Sequence, residues 1–158
     1  MKIRVNGIPA PQGSKRHVGG GRMVEVSRAV GPWREAVRAE TQRALAPHSL
    51  RAAPHTPGAD IGICRACIEE GTLMVPSAPV RVQIDFTLPK PKSTPKKVTW
   101  PAKRPDLDKL VRAVLDGLVA GGAIHDDGQV VYLVATKMFP EHDDSPGCSI
   151  YVQEMEDR

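Results

Sequence analysis

Apolar and polar residues alternate at two places in this chain with the period of a strand. PVRVQIDFTL puts Val80, Val82, Ile84, Phe86 and Leu88 on one side of an extended segment, and the opening KIRVN sets Ile3 and Val5 between Lys2, Arg4 and Asn6. Alternation of period two marks a strand with one face buried and the other wet. It lapses at Gly7 and leaves Ile8 out of register, so the first strand ends or bulges there. A short MVEV candidate starts at Met23, and VVYLVATKMF and CSIYVQEM form two further strands with a polar turn between them. A different period runs through Leu107, Leu110, Val111, Val114, Leu115, Leu118 and Val119, spaced i, i+3, i+4, i+7. That is the apolar face of a helix over about 108–120, which Gly121-Gly122 would terminate. Trp33, Val37 and Ala44 fall at helical spacings in an earlier helix, from about 28 to 46, with Ser27 placed to cap it.

Two stretches carry no such period. PAPQGSKRHVGGGRM is a Pro- and Gly-rich loop holding Lys15, Arg16 and Arg22, and the segment 47–78 has scattered prolines and reads as an insertion or long connection. The remaining order of strands and helices predicts a single domain over 1–158, with that insertion at 47–78. Its class is α+β in two layers, with helices packed on a mixed, largely antiparallel sheet.

Composition narrows the setting. Aromatic residues make up only 4% of the 158, so Val, Leu, Ile and Ala must build the core. No run approaches the ~20 apolar residues of a membrane span, and MKIRVNGIPA lacks the apolar region of a secretion signal. Cys64, Cys67 and Cys148 are an odd, sparse set that suits a reducing compartment. These features predict a soluble cytoplasmic protein without a membrane partner. Cys64-x-x-Cys67, with His48 and His55 upstream, offers four candidate Zn²⁺ ligands. Only one half has a familiar spacing, so reduced thiols are the favoured reading over structural zinc.

The net charge of +4 is unevenly spread. Residues 89–104 hold Lys90, Lys92, Lys96, Lys97, Lys103 and Arg104 and no acid, whereas 139–158 hold six acids and one base. One basic face predicts a polyanionic partner, although a solvated loop has the same composition. Trp100 sits inside that run. It suits stacking on an unpaired base, wedging a junction open, or packing against its own domain.

Directly after the basic run comes PDLDKLVRAVLDGL, with Asp106, Asp108 and Asp116 beside the amphipathic helix. A structural account makes Asp108 the helix cap and pairs Arg112 with Asp108 and Asp116, four residues away on either side. It leaves Asp106 unexplained, since one carboxylate suffices for a cap. Two acids held together repel unless a cation lies between them. Asp126 and Asp127 precede the next strand in HDDGQVV, where Asp127-Gly128 is also an ordinary turn dipeptide. If that turn returns to the start of the helix, four carboxylates would meet there. Hard oxygen ligands of this kind suit Mg²⁺ or Mn²⁺ and metal-assisted hydrolysis of a phosphodiester.

The two-part pattern D-L-D-K-L-V-R-A-V-L-D-G-L at 106–118 and D-D-G-Q-V at 126–130 resembles the RusA family of Holliday junction resolvases of bacteria and their phages. A weaker likeness extends to G-x-P-x-P-x-G-S-K-R near the start, to Trp33-Arg34 and to the basic loop. The resemblance implies a small homodimeric, metal-dependent endonuclease that resolves four-way DNA junctions by paired symmetric cuts. It implies Asp106, Asp108 and Asp127 as the essential carboxylates and Asp126 and Asp116 as supporting acids, with Asp126 included among the metal ligands. Two positions depart from the family pattern: Lys109 stands at its usual asparagine and Arg112 at its functional lysine. An arginine does not give up a proton near neutral pH, so Arg112 is expected to orient or neutralise the scissile phosphate. Lys15, Arg16, Lys109 and the six cations of 89–104 are the expected DNA contacts. A DNA-binding protein without catalysis and a less selective branched-DNA nuclease are the competing readings.

Overall fold

A computed structural model describes residues 1–13, 15–17, 23–25, 27–49, 78–141 and 144–156. The chain forms β1 (Lys2–Asn6), β2 (Lys15–His17), β3 (Met23–Glu25), α1 (Val30–Ser49), β4 (Val80–Thr87), α2 (Leu107–Gly121), a 3-10 turn (Asp127–Gln129), β5 (Val130–Met138) and β6 (Gly147–Glu154). The alternating segments are strands and the i, i+3, i+4 segments are helices, as the pattern predicts. One element lies where the sequence reads as loop: β2 pairs antiparallel with β3, Lys15 opposite Glu25, in a small separate hairpin. The segment 50–77, including Cys64, Cys67 and His55, lies outside the described residues, as do the side chains of Lys15, Arg16 and His48.

The main sheet has the order β1-β6-β4-β5. β6 pairs antiparallel with both β1 and β4, while β4 and β5 run parallel. A parallel neighbour needs a crossover, and α2 is that connection. One face of the sheet is apolar and buried, with Ile3, Val5, Val80, Val82, Ile84, Phe86, Cys148, Ile150 and Val152 all inside. Residues between them on the same strands, such as Arg81 and Tyr151, are exposed. The buried face meets Leu110, Val114 and Leu118 of α2 and Trp33 and Val37 of α1 in one core. This is a two-layer α+β fold on a mixed, mainly antiparallel sheet.

The two helices approach closely because α2 presents glycines to α1. A Cβ on Gly117 would lie 2.6 Å from Val37 Cγ1, and one on Gly121 would lie 2.6 Å from Thr41 Cβ. α2 ends where the glycine pair predicts: Gly122 takes the left-handed φ of 84°, and the N–H of Ala123 reaches the carbonyl of Leu118 at 3.0 Å. At the sheet edge β5 has no fully buried residue, and Val131, Tyr132 and Leu133 are exposed.

Candidate active site

The start of α2 settles how its acids are used. Asp106, not Asp108, occupies the cap position, with φ −71° and ψ 135°, and its side chain makes no capping hydrogen bond. Asp108 lies in the first turn, where the helix dipole favours an anion. The expected Arg112 pairs are not made either. Asp116 turns away from its own helix to Arg34 of α1, with Nη2 and Oδ2 2.7 Å apart. A cap at Asp108 and ion pairs to Arg112 therefore do not account for the acids.

Asp106 pairs instead with Lys109, whose Nζ is 3.1 Å from Oδ2. The hydrogen bond from Lys109 holds the Asp106 carboxyl below its ordinary value, with the charges of Lys109, Arg104 and Lys137 acting in the same direction. Asp126 is engaged in the turn before β5. Its Oδ1 accepts from the Gly128 N–H at 2.8 Å, and the Gln129 side chain accepts from the backbone N–H groups of His125 and Asp126 in return. This reciprocal capping box supports the turn and leaves Asp126 as a local brace.

Asp108, Arg112 and Asp127 form the remaining set. They line one pocket of about 480 Å³ with Leu107, Val111, Leu115, Leu133 and Ala135. The pocket lies between α2 and the exposed edge strand, so its floor is apolar and its charged groups stand at an open rim. No hydrogen bond or ion pair among the described residues engages these three side chains. The turn before β5 thus reaches the pocket on α2, but only Asp127 of its two acids lines it. The expected convergence of four carboxylates is not seen: among the described residues no three of His, Cys, Asp and Glu group closely enough to hold a metal. Asp106 and Asp126 are instead engaged by Lys109 and by the Gly128 N–H.

The cations divide in the same way. Lys90 is spent within the basic loop, its Nζ donating to the carbonyls of Lys96 at 2.8 Å and Val98 at 2.7 Å. Lys92, Lys96, Lys97, Lys103 and Arg104 are exposed. Sequence reasoning passed over Lys137 on β5. Its Nζ donates to the carbonyls of Lys103 at 2.9 Å and Pro105 at 2.8 Å, holding the segment that leads into Asp106. A lone charged residue in a mostly apolar strand pattern was the available signal. A second overlooked brace is the Gln12 N–H, which donates to the Lys109 carbonyl at 3.0 Å and ties the loop after β1 to the first turn of α2.

An exposed pocket with two free carboxylates, a free guanidinium and lysines on the preceding loop is chemically suited to a phosphodiester. A family model described as endodeoxyribonuclease RusA matches residues 63–153, more than half of the chain. No curated protein matches it.

Proposed function

Because the chain belongs to the RusA family of endodeoxyribonucleases, we propose that it resolves four-way DNA junctions by metal-dependent hydrolysis, with Asp108, Arg112 and Asp127 at the reaction centre. Family membership makes the protein a structure-specific endonuclease acting on Holliday junctions. The rest of the mechanism is our reading, carried by one observation: these three side chains share a pocket and have no hydrogen-bond or ion-pair partner among the described residues.

The donor set fits a hard divalent cation, since carboxylate oxygens at an open, hydrated rim are what Mg²⁺ or Mn²⁺ takes. Asp108 and Asp127 would hold it, and Asp106 is near enough in sequence to join if it exchanges its exposed Lys109 partner. Such an ion supplies activation of water and neutralisation of charge on the phosphate and leaving oxygen. Arg112 clamps the scissile phosphate through its planar, permanently charged fork. Lys92, Lys96, Lys97, Lys103 and Arg104 hold the flanking backbone, and Asp126 and Asp116 support the site by bracing the turn and the helix pair. Paired symmetric cuts call for two centres, which a homodimer provides. The exposed β5 edge is the surface we assign to the second copy, with Val131 at the contact and Leu133 left to the pocket.

Asp108→Asn keeps the shape and removes the charge, so the variant should bind a synthetic four-way junction and fail to cut it in Mg²⁺ or Mn²⁺. Undiminished cleavage would refute the assignment. Binding by the wild type without cutting in either metal would favour a DNA-binding protein without catalysis. Comparing junction, flap and linear duplex separates a resolvase from a less selective nuclease, and light scattering that finds only monomer at assay concentration would overturn the dimer.

A further inference from the structure

Trp100 is 61% exposed, whereas the other tryptophan, Trp33, is 3% exposed in the core. Packing against its own domain therefore does not explain Trp100, and an indole left in water forfeits a large hydrophobic gain. Its neighbours on both sides are anchored. The Thr99 carbonyl accepts from the Phe139 N–H at 2.9 Å, Val98 packs on the core, and Pro101 is buried. Lys90 clamps the preceding residues from inside the loop, and Lys137 clamps the following ones at Lys103 and Pro105. The loop thus holds the backbone at both sides of a side chain that remains exposed.

We propose that Trp100 is a stacking platform for an unstacked nucleobase at the branch point of the DNA substrate. The charge around it selects that ligand: Lys96, Lys97, Lys103 and Arg104 are all exposed, and no acid occurs between 89 and 105. A nucleobase offers a flat apolar face joined to a phosphate, which matches an aromatic ring set among cations. In a continuous duplex both faces of a base are covered by its neighbours. A strand exchange point or a single strand leaves one free, so Trp100 contributes to branched DNA and little to duplex. The proposal rests on the reading that residues 89–105 face DNA, but not on which aspartates perform the chemistry.

The test is binding by the full chain without divalent metal, so that no cleavage occurs. Synthetic four-way junction and duplex of equal length are titrated, and tryptophan fluorescence is read alongside affinity. Junction should quench the wild-type signal, because the exposed indole is the one a base can reach. Trp100→Ala should weaken junction binding roughly 5- to 150-fold, change duplex binding by less than about twofold, and leave the melting temperature unaltered. Trp100→Tyr should restore most of the affinity. Equal losses on junction and duplex, affinity within twofold of wild type, or absent quenching would each overturn the platform. A signal that changes with protein concentration in the absence of DNA would assign Trp100 to a second copy of the chain instead. Failure to bind any DNA would overturn both this proposal and the functional reading beneath it, whereas cleavage by Asp108→Asn would leave this one standing.

Discussion

Replacing Lys137 with methionine tests whether the edge strand positions the catalytic segment. Methionine keeps the length and apolar stem but cannot donate to the carbonyls of Lys103 and Pro105. A hydrogen bond to a charged donor is worth about 1.5–3 kcal/mol. The Lys103 bond is exposed and contributes little, so the partly buried bond to Pro105 sets the cost at about 2 kcal/mol. At about 2–4 °C per kcal/mol for a chain of this size, the melting temperature should fall by about 4–8 °C. Lys109 remains the main cause of the low Asp106 pKa, so the pH profile of cleavage should barely move. The defect should appear in single-turnover cleavage of a four-way junction, with junction affinity close to wild type. Lys137→Arg, which can still donate, should recover part of both losses. A Lys137→Met protein that melts and cleaves like wild type would show that the segment before α2 is held by something else.

Opposite signs are expected for one substitution at two helical glycines. Gly117→Ala drives a methyl against β-branched Val37 and should cost about 1–2 kcal/mol after the helix-propensity gain, whereas Gly31→Ala meets nothing within 4 Å and should be neutral to stabilising by up to about 1 kcal/mol; urea unfolding separates them. Lys109→Ala removes the hydrogen bond that lowers the Asp106 pKa, so the carboxyl should titrate nearer its ordinary value by NMR. A depressed carboxylate favours the fold above its unfolded pKa, and that contribution is lost as pH falls through the lowered value, so the variant should lose less stability than wild type on acidification below pH 4. Lys97→Ala should reduce the salt slope of DNA binding by about 1 for a lost phosphate contact. Lys90→Ala should instead loosen the loop that carries Trp100, detectable as faster hydrogen exchange at Thr94 and Val98.

Local pattern determined the four strands of the main sheet, the buried face of α2 and its glycine stop, because periods of two and 3.6 residues fix which side chains share a face. The two-part acidic motif identified the family for the same reason, being a matter of residue type and spacing. Which acids are free was decided by contacts across the fold. Asp116 is drawn off by Arg34 on another helix, and Asp127 reaches the pocket because β5 returns parallel to β4. Lys137, far along the chain, holds the segment before Asp106. Lys90 and Lys97 of the basic loop look alike in sequence, yet of the two only Lys90 hydrogen-bonds to carbonyls of the loop. A charge's partner depends on distances of a few ångström between segments remote in sequence, and only packing sets those distances.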